Sequence, residues 1–335
     1  MIRHRVDPER PSPQVISAAA EVIRRGGLVA FPTETVYGLG ADALSEAAIL
    51  ALFAAKGRPS YNPIIAHVAS ADHALTLVTH WPAAAGQLAA TFWPGPLTLV
   101  LPKAPHVPLA LTAGRDTVAV RMPAHPVALA LIRTADRPIA APSANRFTEL
   151  SPTTADHVER GLGAHVEMIL DSGPTPVGIE STVVDLSGLS PVLLRPGTLS
   201  RAALEQVLGV PLADPVPAAH ATEARPAPGM TDRHYAPRAR VMLTQASGVA
   251  AVITREIAAG KRVGAIVIGA DATGTAALQR LSPDAAGYAR GLYAALHAMD
   301  EAACDIACVE LPPDAPEWAG VNDRLRRAAH PPEHG

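Results

Sequence analysis

Residues 28–57, LVAFPTETVYGLGADALSEAAILALFAAKG, decide the fold. Leu28 to Phe31 make a short apolar run, the signature of a buried strand. PTETVYGLGADA (32–43) reads as a polar, glycine-containing loop. Ser45 then caps a helix that stops at Gly57, a residue free to leave the helix through positive φ. Strand, loop and helix in that order are the unit of an α/β sheet. Upstream, Ser12 and Pro13 open a helix with Val15, Ile16, Ala19, Val22 and Ile23 on one face, closed by Gly26 and Gly27. Downstream, IIAHV, LTLVL, TVAVRM, PIAAP, EMILD, STVVDL and VLLRP are strand candidates. Helical patterns lie near 70–78, 82–91, 125–134 and 153–160. No helix is expected between LTLVL and TVAVRM, nor between STVVDL and VLLRP, so the sheet is open and mixed rather than all-parallel.

The alternation breaks at residues 209–238, where proline and alanine dominate without apolar periodicity. The segment divides the chain into a larger domain (1–208), a linker (209–238) and a small domain (239–335). RVMLT, VGAIVIG and IACVEL, with helices near 247–259, 285–300 and 316–329, predict a small parallel, Rossmann-like α/β unit.

Composition bounds the function. The 335 residues are 48% hydrophobic but only 4% aromatic, so the cores must be aliphatic. There is no run of apolar residues long enough to span a membrane, and MIRHRVDPERP lacks the apolar region of a secretory signal. A cytoplasmic protein is expected. A formal charge of -3 gives no global case for nucleic-acid binding. Cys304 and Cys308 are too few for a four-cysteine zinc site, and are expected to pack in the small domain. P-loop, GxSxG and HExxH motifs are absent, and Gly38-Leu39-Gly40 lacks the third glycine of a dinucleotide fingerprint.

The polar residues of the larger domain gather at strand ends and in loops: Thr33 to Thr35, Lys56, Arg58, Asn62, His67, Thr117, Arg121, Ser143, Asn145, Ser151, Ser181 and Arg195. Arginines and a lysine among hydroxyls and glycines suit a polyanion such as a nucleotide triphosphate, since guanidinium forks bind phosphate oxygens in pairs. Each residue taken alone has a structural explanation, as a helix-end cation, a turn cap or a core histidine. Their joint placement points to one site that works by alignment and charge neutralisation.

PTETVYGLGADA, KGRPSYNPIIAHV, FWPGPLTLVL, TVAVRMP, APSAN, GIESTVVDL, LLRPG and PGMTDRHYAP occur in that order. Together they closely resemble the YrdC-type threonylcarbamoyl-AMP synthases, in the long form with an extra C-terminal domain. The resemblance implies a twisted open sheet with a positively lined cavity. It also implies a nucleotidyltransferase that joins L-threonine, bicarbonate or carbon dioxide, and ATP. The products are threonylcarbamoyl-adenylate, passed to a separate transferase complex that modifies tRNA beside the anticodon, and pyrophosphate. By the same resemblance Thr35, His67, Arg121, Ser181 and the backbone of Ala141 would hold threonine. Arg58, Asn62, Thr117, Ser143, Asn145, Ser151, Arg195 and His234 would bind ATP, with Lys56 and Arg58 stabilising the transition state. Magnesium is expected to arrive with ATP, and no residue is assigned as its ligand. His234 and Tyr235 would bring the linker over the cavity as a lid.

Two other functions fit a basic cavity on an α/β sheet: an RNA- or tRNA-binding module, and a carbamoyl-transfer enzyme of the hydrogenase-maturation type. The charge balance and the lack of stacking aromatics weigh against the first. The second needs acylphosphatase and zinc-finger segments for which this chain has neither the cysteines nor the length.

Overall fold

The computed structural model describes residues 1–215 and 235–331. The larger lobe is built on ten strands: β1 (Ile2–Arg5), β2 (Val29–Pro32), β3 (Tyr37–Asp42), β4 (Ile65–His67), β5 (Leu97–Pro102), β6 (Thr117–Arg121), β7 (Ile139–Ala140), β8 (Met168–Asp171), β9 (Thr182–Asp185) and β10 (Val192–Arg195). They form one mixed sheet in the order β1-β8-β2-β3-β7-β4-β6-β5-β9-β10. Its helices are α1 (Pro13–Arg24), α2 (Glu46–Lys56), α3 (Ala71–Leu75), α4 (Ala83–Phe92), α5 (Leu109–Thr112), α6 (Pro126–Ala135), α7 (Ala155–Leu162) and α8 (Arg201–Leu208). The small lobe carries β11 (Arg240–Thr244), β12 (Val263–Val267), β13 (Ala277–Arg280) and β14 (Ile306–Glu310), all parallel in the order β11-β14-β12-β13. Around them lie α9 (Val249–Ala258), α10 (Ala285–Glu301) and α11 (Ala319–Ala329). Among the described residues no helix is long and apolar enough to cross a membrane.

Side-chain alternation assigns the faces of the large sheet. Ala30, Tyr37, Leu39, Ala66, Leu99, Val120 and Val184 turn to one side, where they pack with Ile49 and Leu52 of α2, Leu88 of α4 and Leu204 of α8. Val29, Phe31 and Ile139 turn to the other, against Ile16 and Ile23 of α1 and Leu131 of α6. The neighbours of the first set, Gly38, Ile65, His67, Arg121 and Ala141, therefore lie on that second face, and here they line a pocket.

Local signals behave as expected in α2. Ser45 Oγ accepts from the Ala48 amide at 3.3 Å, and Gly57 closes the helix with φ +61°. β5 and β6 are antiparallel, as are β9 and β10, so the mixed sheet is the one expected. Several expectations need correction. The second half of the supposed loop, YGLGAD, is a full strand paired with β2 and β7. Gly38 and Gly40 blank out one face and hide its alternation. A short helix, α5, does lie between β5 and β6. The small sheet has four strands rather than three, because β13 is a polar ALQR edge without an apolar run. Strand β1, IRHR, escapes notice for the same reason, and α8 was not anticipated.

Both described ends of the Pro/Ala-rich segment are packed. Leu212 is buried in the large-lobe core, and the Ala213 carbonyl accepts from the Leu193 amide at 2.9 Å. At the other end Tyr235 is buried, and the Ala236 amide donates to the Thr148 carbonyl at 3.1 Å. Residues 216–234, including His234, lie outside the described residues. Cys304 and Cys308 are free and buried in the small lobe, as expected.

Candidate active site

A pocket with an empty volume of about 500 Å³ opens on the second face of the large sheet. Thr33, Thr35 and Val36 reach it from the hairpin turn between β2 and β3, and Gly38 from β3. Ile65 and His67 come from β4, Arg121 from the end of β6, and Ala141 to Ser143 from the chain leaving β7. Glu180 and Ser181 precede β9, Arg195 ends β10, and Arg58 and Tyr235 complete the wall. Among the predicted residues, Thr35, Arg58, His67, Arg121, Ala141, Ser143, Ser181 and Arg195 thus share one hollow. Its position is a correction of detail: it lies across a sheet face as well as at strand ends.

The turn is locked from within. The Thr33 hydroxyl donates to the Val36 carbonyl at 2.6 Å and lies 2.8 Å from Thr35 Oγ1. This fixes Thr35 so that it accepts from the Arg121 guanidinium at 3.0 Å. Arg121 also forms an ion pair with Glu34 at 2.7 Å, both groups being almost fully buried. His67 stands beside Arg121 in register. Burial and the Arg121 cation push its imidazole down to about 3, so it presents a neutral ring.

The opposite wall is a second polar lattice. Arg195 donates to the Ser181 carbonyl at 3.1 and 3.0 Å, to Ser181 Oγ at 3.2 Å and to Tyr235 Oη at 3.4 Å. Thr98 Oγ1 lies 2.8 Å from Ser181 Oγ. Burial, reinforced by the Arg195 cation, pulls the Arg58 guanidinium down to about 10, which leaves it charged at neutral pH. Arg58 is oriented by the Asn62 and Pro63 carbonyls at 3.4 and 2.9 Å. Tyr235 takes the left-handed φ of +60°, an uncommon conformation for a bulky residue.

The other predicted residues stand behind the wall or away from it. Lys56 does not line the pocket. Its ammonium donates to the Ser143 carbonyl at 2.6 Å and to the Asn145 carbonyl, so it braces the loop that presents Ser143. Burial and the nearby Arg58 cation hold it well below the usual lysine range. Asn145 Nδ2 donates to the Arg146 and Glu149 carbonyls, both at 2.8 Å. Asn62 is buried with neither side-chain polar atom hydrogen-bonded. Thr117 begins β6, at the far end of the strand from Arg121. Ser151 sits behind Glu180 and donates to its Oε1 at 2.5 Å.

Sequence reasoning missed Glu180 and the role of Glu34. Burial alone would raise the Glu180 carboxyl, but the Arg324 and Arg195 cations and the Ser151 hydrogen bond hold it below its ordinary value. Among the described residues no cluster of three or more His, Cys, Asp or Glu side chains is placed to hold a metal ion. The pocket's lining carboxylate, Glu180, already has its oxygens engaged by Ser151, Tyr293 and Arg324. These residues do not fit a protein-held metal centre.

Two family models match the chain. The Sua5_yciO_yrdC model, described as "Telomere recombination", matches residues 21–197. The model "Threonylcarbamoyl-AMP synthase, C-terminal domain" matches residues 199–330. A protein of Pyrococcus abyssi named threonylcarbamoyl-AMP synthase is 45% identical over 327 residues, covering 96% of each chain. A Bacillus subtilis protein of the same name is 41% identical over 327 residues, 95% of this chain and 93% of its own. The solved structure of P. abyssi Sua5 complexed with L-threonine superposes with a TM-score of 0.93 at 44% identity, covering 98% of both chains.

Proposed function

We propose, since the chain belongs to the Sua5/YciO/YrdC family in its long, two-domain form, that it is a threonylcarbamoyl-AMP synthase acting on L-threonine, ATP and bicarbonate or carbon dioxide. The observation that carries this reading is the convergence of Arg58, Arg121 and Arg195 with Thr35, Ser143 and Ser181 on one pocket. Two separated cationic walls suit two anionic groups: a small carboxylate beside Arg121, and a polyphosphate beside Arg58 and Arg195.

In this chemistry the threonine amine adds to the carbon of carbon dioxide, forming an N–C bond and releasing a proton. The resulting carbamate oxygen attacks the α-phosphorus of ATP, and the bond to the β-phosphate breaks as pyrophosphate leaves. Arg121, held by Glu34 and Thr35, receives the amino-acid carboxylate. The neutral His67 ring offers a hydrogen-bonding nitrogen without adding a charge. Arg58 and Arg195 neutralise the phosphoryl oxygens as charge moves to the leaving group. Ser143 presents its hydroxyl because Lys56 braces the loop behind it. Magnesium enters as the counter-ion of ATP, carried by the phosphates as part of the substrate. The product serves a separate transferase that modifies tRNA, and the work takes place in the cytoplasm.

The test is incubation of the purified chain with ATP, magnesium, labelled bicarbonate and single amino acids, following pyrophosphate. Release should depend on threonine. Arg58→Ala should lower it at least about a hundredfold, the scale seen when a charge-stabilising donor is removed, with an unchanged circular-dichroism spectrum. Release that ignores threonine would refute the assignment.

A further inference from the structure

Arg324 of α11 is the largest fully buried side chain among the described residues, and it belongs to the lobe that lacks the pocket. Its Nε donates to Glu180 Oε2 at 2.7 Å, and its terminal nitrogens reach the Glu180 carbonyl at 3.3 Å and the Pro196 carbonyl at 2.9 Å. The guanidinium also lies 5.2 Å from the centre of the Tyr235 ring. One side chain therefore touches the segment before β9, the segment after β10 and the C-terminal end of the linker. From α10, Tyr293 adds a hydroxyl that donates to Glu180 at 3.0 and 3.2 Å. Glu180 and Tyr235 are wall residues of the pocket, and Ser151, Ser181 and Arg195 are bonded to or adjacent to them.

A buried ion pair is a poor source of net stability, since well-packed apolar residues do as well or better. Its use is to fix geometry. A rigid planar fork meeting several acceptors from separate segments is suited to that, whereas a lysine would place only a point charge. We propose that Arg324, assisted by Tyr293, is a positioning residue: from the small lobe it sets the Glu180 carboxylate and Tyr235 ring, and through the Tyr235 hydroxyl the nucleotide-binding wall at Arg195. The inference rests on the assignment of ATP to that wall.

The test compares the full chain with Tyr293→Phe, Arg324→Lys, Arg324→Met and the double variant Glu180→Gln/Arg324→Met. ATP affinity is measured by equilibrium titration, separately from threonine-dependent pyrophosphate release, and thermal melting is followed for each. Losing a hydrogen bond to a buried charge should weaken ATP binding about threefold in Tyr293→Phe and at least about tenfold in Arg324→Met. Arg324→Lys should not restore it. The double variant should regain melting temperature but not ATP affinity, a split that a merely structural pair would not give. Should Arg324→Met fail to fold, Tyr293→Phe and the double variant decide. Wild-type ATP affinity in both overturns the proposal, as does a wild-type chain that binds no ATP. A wild type that binds ATP but releases no pyrophosphate with threonine refutes the enzymatic assignment alone, and the affinities still decide the role of Arg324.

Discussion

A buried arginine needs a counter-charge before any ligand arrives, and Glu34 supplies it to Arg121 at 2.7 Å. Glu34→Gln leaves that cation unpaired, and breaking a buried pair in this way costs about 3–5 kcal/mol. A bound amino-acid carboxylate would make good part of the loss. Threonine should accordingly raise the melting temperature of Glu34→Gln by several degrees more than that of the natural chain. Equal increments would mean that the carboxylate binds elsewhere. At this scale the sequence was legible where a polar residue interrupts or ends an apolar strand, as His67 and Arg121 do. It was silent on Glu180, whose partners Tyr293 and Arg324 lie 113 and 144 residues downstream. Nor could it show that Lys56 turns to backbone carbonyls instead of the pocket, because helix-end lysines carry no sign of which way they point.

Among the elements, β3 is the one most misjudged and the one that shapes the site. Tyr37, Leu39 and Ala41 supply its core face, while Gly38 and Gly40 keep the other face bare. A Cβ on Gly40 would come within 2.8 Å of the Phe31 ring and 3.1 Å of the Val29 carbonyl oxygen. The backbone neighbour cannot swing away. Gly40→Ala should therefore lower stability by about 1–3 kcal/mol, read as a fall in urea midpoint at constant slope. An unchanged midpoint would show that β2 and β3 can separate. The glycine pair set aside as a failed dinucleotide motif is thus a packing device. Helices were better read because caps and 3.6-residue periodicity are local, whereas edge strands such as β1 and β13 reveal themselves only through a neighbour.

At the scale of the whole molecule, a mixed sheet followed by a small parallel one was legible, since connection type follows from what lies between strands, although β1, β3 and β13 were not. The seam between lobes was not. Gly178 and Gly320 mark how closely it is drawn: a Cβ on either would meet backbone oxygen at 2.4 or 2.3 Å across the junction. His157 and His297, one from each lobe, stack at 3.8 Å. Both are kept neutral chiefly by burial, down to about 3 and about 4.

Val36, Leu150 and Ile179 belong to the large lobe by sequence, yet they pack within the same apolar cluster as Tyr288, Leu292 and Leu325 of the small one. Neither lobe can let go without wetting part of the other's interior. Scanning calorimetry should consequently record a single endotherm, with van't Hoff and calorimetric enthalpies in agreement. Two resolved peaks would mean that the halves merely rest against each other. One peak would make the chain a single cooperative unit, in which a defect far out in α11 is felt as loss of the entire molecule.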